Sequence, residues 1–168
     1  MLTSHELLGF MSPSLANEIL NWTYETERAT YKATLEAVAA VRKLRPVFLE
    51  RQPRPQRHAT MVAALNRPNL ETVASTLLRT WLVKRYKDML VDFLNALGIQ
   101  HEDGVVEGLP ESMETEKLKS AVELLLAKYP HEAVGVYLNA FNDMNEANWP
   151  NLKELLEGDA RLQLGQNG

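Results

Sequence analysis

The stretch TYETERATYKAT, residues 23–34, lies inside a run from 13 to 45 that no glycine or further proline interrupts. Four threonines, Thr23, Thr26, Thr30 and Thr34, recur about one helical turn apart in it, although threonine is a mediocre helix former. Ser12 followed by Pro13 has the form of an N-cap and first helical residue, and Pro46 marks a stop. The spacing therefore predicts one long helix over about 13–45, ~50 Å at 1.5 Å per residue. At 100° per residue, Leu15, Ile19, Ala33, Ala37, Val41 and Leu44 share a broad face, opposite Glu18, Asn21, Glu25, Arg28, Lys32, Glu36 and Lys43.

The four threonines fall on the apolar side with Glu27 near them, so they are predicted to point inward. Inward hydroxyls have two uses. Each can bond the carbonyl one turn back while its methyl packs, or the set can line a polar cavity in which Glu27 orients a small ligand. A buried carboxylate requires a cation, a proton or water.

A second long helix is predicted over about 69–97, capped by Asn69 and ended by Gly98. Leu70, Val73, Ala74, Leu77 and Trp81 share its face, but beyond Trp81 that face carries Lys84, Arg85, Asp88, Asp92 and Asn95. The apolar stripe moves to Leu82, Tyr86, Met89, Leu90, Phe93 and Leu97. The candidate ligand site is therefore Thr23, Thr26, Glu27, Thr30, Thr34, Lys84, Arg85 and Asp88, with Glu27 paired to Arg85 or Lys84.

Elsewhere, Thr3 and Glu6 have capping-box spacing for a short helix over 4–10. Residues 46–57, PVFLERQPRPQR, contain three prolines and are expected to form an irregular crossing, followed by a short helical turn over 58–66. A loop over 98–111 precedes three shorter helices, expected over 112–129, 130–144 and from Asn148 to Gly158. The tail 162–168 is expected to fray. Trp22 and Trp81 are expected as core anchors, and Trp149 as a residue that fastens a helix start. No strand is expected beyond a short extended pair at Val105 and Val106. The fold class is all-α: one helical domain over 1–168, a bundle built on the two long helices.

The chain of 168 residues has no cysteine, which excludes disulfides, thiolate nucleophiles and cysteine-based zinc sites and suits a reducing cytoplasm. Its first residues, MLTSHELLGF, carry neither the basic segment nor the apolar run of a signal peptide, so a soluble cytoplasmic protein with no membrane partner is expected. No Glu-x-x-His, His-x-x-x-His, Gly-x-Ser-x-Gly, phosphate loop or dinucleotide fingerprint occurs, and neither metal nor cofactor is expected.

Charge is segregated. Residues 42–100 hold eleven Lys/Arg against four Asp/Glu, net +7, and 101–168 hold five against thirteen, net −8. Few aromatics interleave with the basic residues, so a nucleic-acid partner is not expected. The expected function is a non-enzymatic protein-interaction module, a homodimer or homo-oligomer. Its contact surfaces would be a basic crossing, Arg42, Lys43, Arg45, Arg51, Arg54 and Arg57, and the acidic C-terminal segment. The alternative is a small-molecule-binding or acid/base-active protein using the threonine face.

Overall fold

Every regular element in the computed structural model, which describes residues 1–165, is helical, as the sequence predicts. Thr3 and Glu6 form the expected capping box on α1 (Ser4–Phe10), and Ser12 accepts the Leu15 amide to start α2 (Pro13–Thr26). At Glu27 the predicted long helix breaks. This residue adopts φ −132° and ψ 63°, and a new helix, α3, runs over Arg28–Val41. In the turn before the break, the Thr23 and Thr26 hydroxyls donate to the carbonyls of Ile19 and Trp22, a back-bonding that bends helices.

The break shifts the buried stripe. α2 buries Leu15, Ala16, Ile19, Leu20 and Thr23, whereas α3 buries Tyr31, Thr34, Leu35, Val38 and Ala39, about one residue's rotation from the continuation of the first stripe. Ala33, Val41 and Leu44, expected inward on a continuous helix, are exposed, and Ala37 is only half-buried. Trp22 is also half-buried, while Trp81 is fully buried as expected.

The expected irregular crossing over 46–57 is largely helical. Pro46 opens α4 (Pro46–Glu50), Pro53 caps α5 (Arg54–Leu65), and Pro55 sits in its first turn. Prolines there lose no hydrogen bond, because first-turn amides have no helical acceptor. After a 3-10 turn at Pro68–Leu70, the second predicted long helix also divides, into α6 (Glu71–Arg85) and α7 (Lys87–Leu97), separated by Tyr86 at φ −115° and ψ 31°. The shift of the apolar stripe beyond Trp81 marks this division. Gly98, at φ 70°, closes α7 as expected.

The three shorter helices are α8 (Thr115–Lys128), α9 (His131–Asn145) and α10 (Pro150–Gly158), followed by a 3-10 turn at Ala160–Leu162 that buries Leu162. α8 starts three residues later than expected, because side chains at the start of α10 hold the preceding segment as a loop. Trp149 Nε1 donates to the Pro110 carbonyl at 3.0 Å, and Asn151 Nδ2 to the Met113 carbonyl at 2.6 Å. Val105 pairs only in an isolated bridge with Glu102. The last three residues of the tail expected to fray lie outside the described residues.

Contacts gather the chain into two compact units. In the first, Thr3–Trp81, α5 packs against α1, α2 and α3, with Leu7, Leu8, Ile19, Leu20, Leu49, Met61 and Leu65 fully buried. In the second, Leu82–Leu164 with Met1–Leu2, α9 is buried on all sides from Glu132 to Asn142. Phe93, Tyr137, Phe141 and Trp149 meet edge to face or tilted there, with centroids 5.2–5.9 Å apart. Asn139 is satisfied in this interior: its Oδ1 accepts the Leu2 amide and its Nδ2 donates to the Gly135 carbonyl.

Gly135 is where the 160–162 turn presses closest on α9. A Cβ built there would lie 2.5 Å from the Leu162 carbonyl oxygen, backbone that cannot swing aside. Gly135→Ala should therefore cost about 1–3 kcal/mol in chemical denaturation. Gly158→Ala, where a Cβ meets nothing within 4 Å, should be neutral or stabilising by up to ~1 kcal/mol.

Candidate functional site

The residues of the predicted threonine site differ in exposure. Thr23 and Thr34 are buried, Thr30 and Glu27 are half-buried, and Thr26 is exposed because it stands at the end of α2. The buried hydroxyls are spent within their own helix, Thr23 on the Ile19 carbonyl at 2.7 Å and Thr34 on the Thr30 carbonyl at 2.8 Å. Lys84, Arg85 and Asp88 are exposed and belong to the second unit, where the Arg85 guanidinium lies 4.9 Å from the Tyr86 ring centre. Asp92 is half-buried and accepts bonds from Lys128 Nζ at 2.8 Å and the Tyr129 hydroxyl at 2.5 Å. Burial alone would raise this carboxyl, but the two donors more than offset it and hold it below the usual range; Tyr129 in turn is pushed up to about 12 by burial and by Asp92.

A different cluster assembles in the first unit, on the tyrosines of the same stretch. Tyr24 at the end of α2 and Tyr31 in α3 meet edge to face at 5.1 Å. The Arg28 and Arg54 guanidiniums lie 3.8 and 3.9 Å from the Tyr24 ring centre, and Arg57 lies 5.6 Å from it and 5.8 Å from that of Tyr31. Hydrogen bonding to Arg54 and then Arg28 pulls the Tyr24 hydroxyl below the ordinary phenol value, whereas burial pushes Tyr31 above it. Arg57 is 9% exposed; its Nη1 donates to the Glu50 carbonyl at 3.1 Å, and its buried Nε has no partner.

His58, next to Arg57 on α5, connects this cluster to α2. Its Nδ1 lies 3.2 Å from Asn17 Oδ1 and its Nε2 2.8 Å from the Tyr31 hydroxyl. Asn17 Oδ1 only accepts, so Nδ1 carries the proton and Nε2 accepts from Tyr31. Burial, and then the charges of Arg57 and Arg54, lower His58 to about 4, so the imidazole is neutral at neutral pH.

Cavities open on both sides of α5. One, about 510 Å³, is walled by Tyr24, Arg28, Tyr31 and Lys32 with Leu35, Glu50 and Arg57. The other, about 440 Å³, is an apolar groove between α1, α2 and α5, lined by Leu8, Met11, Ala16 and Val62 among others, with Asn17 and His58 at its polar edge.

The predicted basic crossing also separates by burial. Arg57 is buried and Arg54 is half-buried against Tyr24, while Arg42, Lys43, Arg45 and Arg51 are exposed. Around these four lie Val41, Leu44, Val47 and Phe48, exposed at 40, 40, 39 and 51%. The corner is nevertheless held in place: Leu49 of α4 is fully buried, and α4 packs on α3.

Tyr24, Tyr31 and His58 did not stand out in the sequence, where the threonine repeat was the stronger pattern. The signal was present: Tyr24 and Tyr31 are seven residues apart, two turns, with Arg28 between them. In the loop before α8 both ring nitrogens of His101 are engaged, Nδ1 accepting from the Gly104 amide and Nε2 meeting Asn95 Oδ1. Among the described residues no three His, Asp or Glu side chains converge as a metal site, and no helix is long and apolar enough to cross a membrane.

Because His58 is lowered on folding, the unfolded chain binds its proton first as pH falls. Stability should therefore decline between pH 6.5 and about 4, by up to ~3 kcal/mol from this residue. His58→Gln, which keeps an acceptor for Tyr31, should flatten that part of the stability profile relative to the parent in urea titrations.

The chain matches no family model, no curated protein and no solved structure.

Proposed function

We propose that this protein is a non-enzymatic helical interaction module that associates with itself, and that its docking surface is the corner joining α3 to α4. The observation that carries this reading is the mixed character of that corner. Four exposed apolar side chains, Val41, Leu44, Val47 and Phe48, stand among three exposed cations, Arg42, Lys43 and Arg45, with a fourth, Arg51, at the far end of α4. Exposed apolar groups gathered on an ordered corner and rimmed by charge have the make-up of an interface: desolvation supplies affinity, and the rim supplies orientation and on-rate.

Charge complementarity favours a second copy as the occupant. Residues 101–168 carry thirteen acidic and five basic side chains, so each copy brings an acidic surface as well as a basic corner. Lys43 adds a second reason to regard the corner as fixed in shape, since it turns the chain in the left-handed region at φ 56°. A non-glycine residue there costs roughly 1 kcal/mol, a strain that persists where a side chain has another use.

Sedimentation velocity tests the proposal. The protein should sediment as a dimer or larger assembly that loosens between ~0.05 and ~0.5 M salt, because exposed charges are screened beyond ~10 Å at 0.1 M. Phe48→Asp should give monomer with an unchanged helical signal. Lys43→Gly, which removes a charge and relieves the positive φ, should weaken association while raising stability. A parent protein that is monomeric at every salt and concentration sinks the self-association reading.

A further inference from the structure

We infer that the cavity between Tyr24, Tyr31 and Arg57 is a binding site for a small hydroxylated organic oxyanion, a phosphate ester or hydroxy-carboxylate. The cavity, about 510 Å³, is large enough for a metabolite rather than a bare ion. Three of its walls are cationic, Arg28, Lys32 and Arg57, against one carboxylate, Glu50. Paired carboxylates neutralise some guanidiniums of this protein, as Glu123 and Asp159 do for Arg161. Arg57 instead donates to a neutral carbonyl and keeps a buried Nε without an acceptor. A buried charged donor without an acceptor is costly, and a ligand oxyanion that turns the Arg57 fork toward the cavity would fill it.

The acceptors in the cavity define the rest of the ligand. The tautomer of His58 fixes the direction of the Tyr31 proton: Asn17 takes the Nδ1 hydrogen, so Nε2 receives the Tyr31 hydroxyl hydrogen. Tyr31 Oη thereby remains an acceptor, with Arg57 beside it, and Glu50 in the same wall is a second acceptor. A ligand that satisfies both ends carries an oxyanion toward Arg28, Lys32 and Arg57 and hydroxyl donors toward Tyr31 and Glu50. Arg28 is already stacked on Tyr24, which pre-orders part of the cationic wall and reduces the entropy lost on binding.

Calorimetric titration with four matched probes tests the assignment: glycerol phosphate, glycerate, inorganic phosphate and glycerol. Glycerol phosphate, glycerate or both should bind, and which of them binds tighter identifies the anion. Inorganic phosphate should bind more weakly for lack of hydroxyls, and glycerol should not bind. Arg28→Ala and Lys32→Ala alter exposed side chains and should leave folding intact while weakening binding about tenfold each, the loss of one charge-assisted hydrogen bond. Phe48→Asp should bind as the parent does, which separates this site from the docking corner. The assignment is overturned if neither organic anion binds at millimolar concentration, if inorganic phosphate binds as tightly as glycerol phosphate, or if Arg28→Ala and Lys32→Ala both bind like the parent.

Discussion

Glu27 leaves helical geometry without a glycine or proline to force it, and the burial pattern from Tyr31 to Phe48 depends on that departure. Two threonine hydroxyls compete for carbonyls in the turn before it, so the ladder is weakened where the chain bends. On a continuous helix the small residues Ala33 and Ala37 would face inward and Tyr31 would lie off that face. The bend instead brings Tyr31, Leu35 and Val38 to the core, trading small side chains for large ones and burying more apolar surface. Val41 and Leu44 are left outside as a consequence. The exposed corner and the tyrosine cavity thus share one origin.

Two kinds of polar pairing hold inside the first unit. Thr23 and Thr34 are satisfied by the carbonyls of their own helices and make no demand on their neighbours. Asn17, His58 and Tyr31 are satisfied by one another across three helices, α2, α5 and α3. Only the second kind fixes tertiary geometry, because each member has its partner on a different element. Its neutrality matters as well. A protonated His58 beside Arg57 would lose its acceptor role toward Tyr31 and add like charge to a cluster that already holds three arginines.

The net charge of −4 conceals how the basic residues are used. Arg54 and Arg57 are turned onto aromatic rings and a backbone carbonyl, where planar guanidiniums stack and bond at once. Arg42, Lys43, Arg45 and Arg51 are left at the surface around apolar side chains. A stretch of sixteen residues, 42–57, therefore serves two roles that charge counting merges into one.

What the sequence determined by itself is local. The helical class, the capping box at Thr3 and Glu6, the start at Ser12 and Pro13, and the stop at Gly98 follow from residue chemistry acting over four or five positions. The shifted stripe beyond Trp81 announced a change of neighbours, and the structure places the break at Tyr86. Prolines 46, 53 and 55 read as breakers because a proline ends one helix and begins another with the same geometry; only the packing of Leu49 and Met61 selects the second use. The threonines weaken the helix locally, but tertiary structure decided that the chain bends at Glu27, since a non-helical residue is tolerated there only if the following helix gains more burial by rotating. It also decided the site, because Tyr24, Tyr31, Arg57 and His58 come from three helices, and no spacing along the chain records which of their faces will meet.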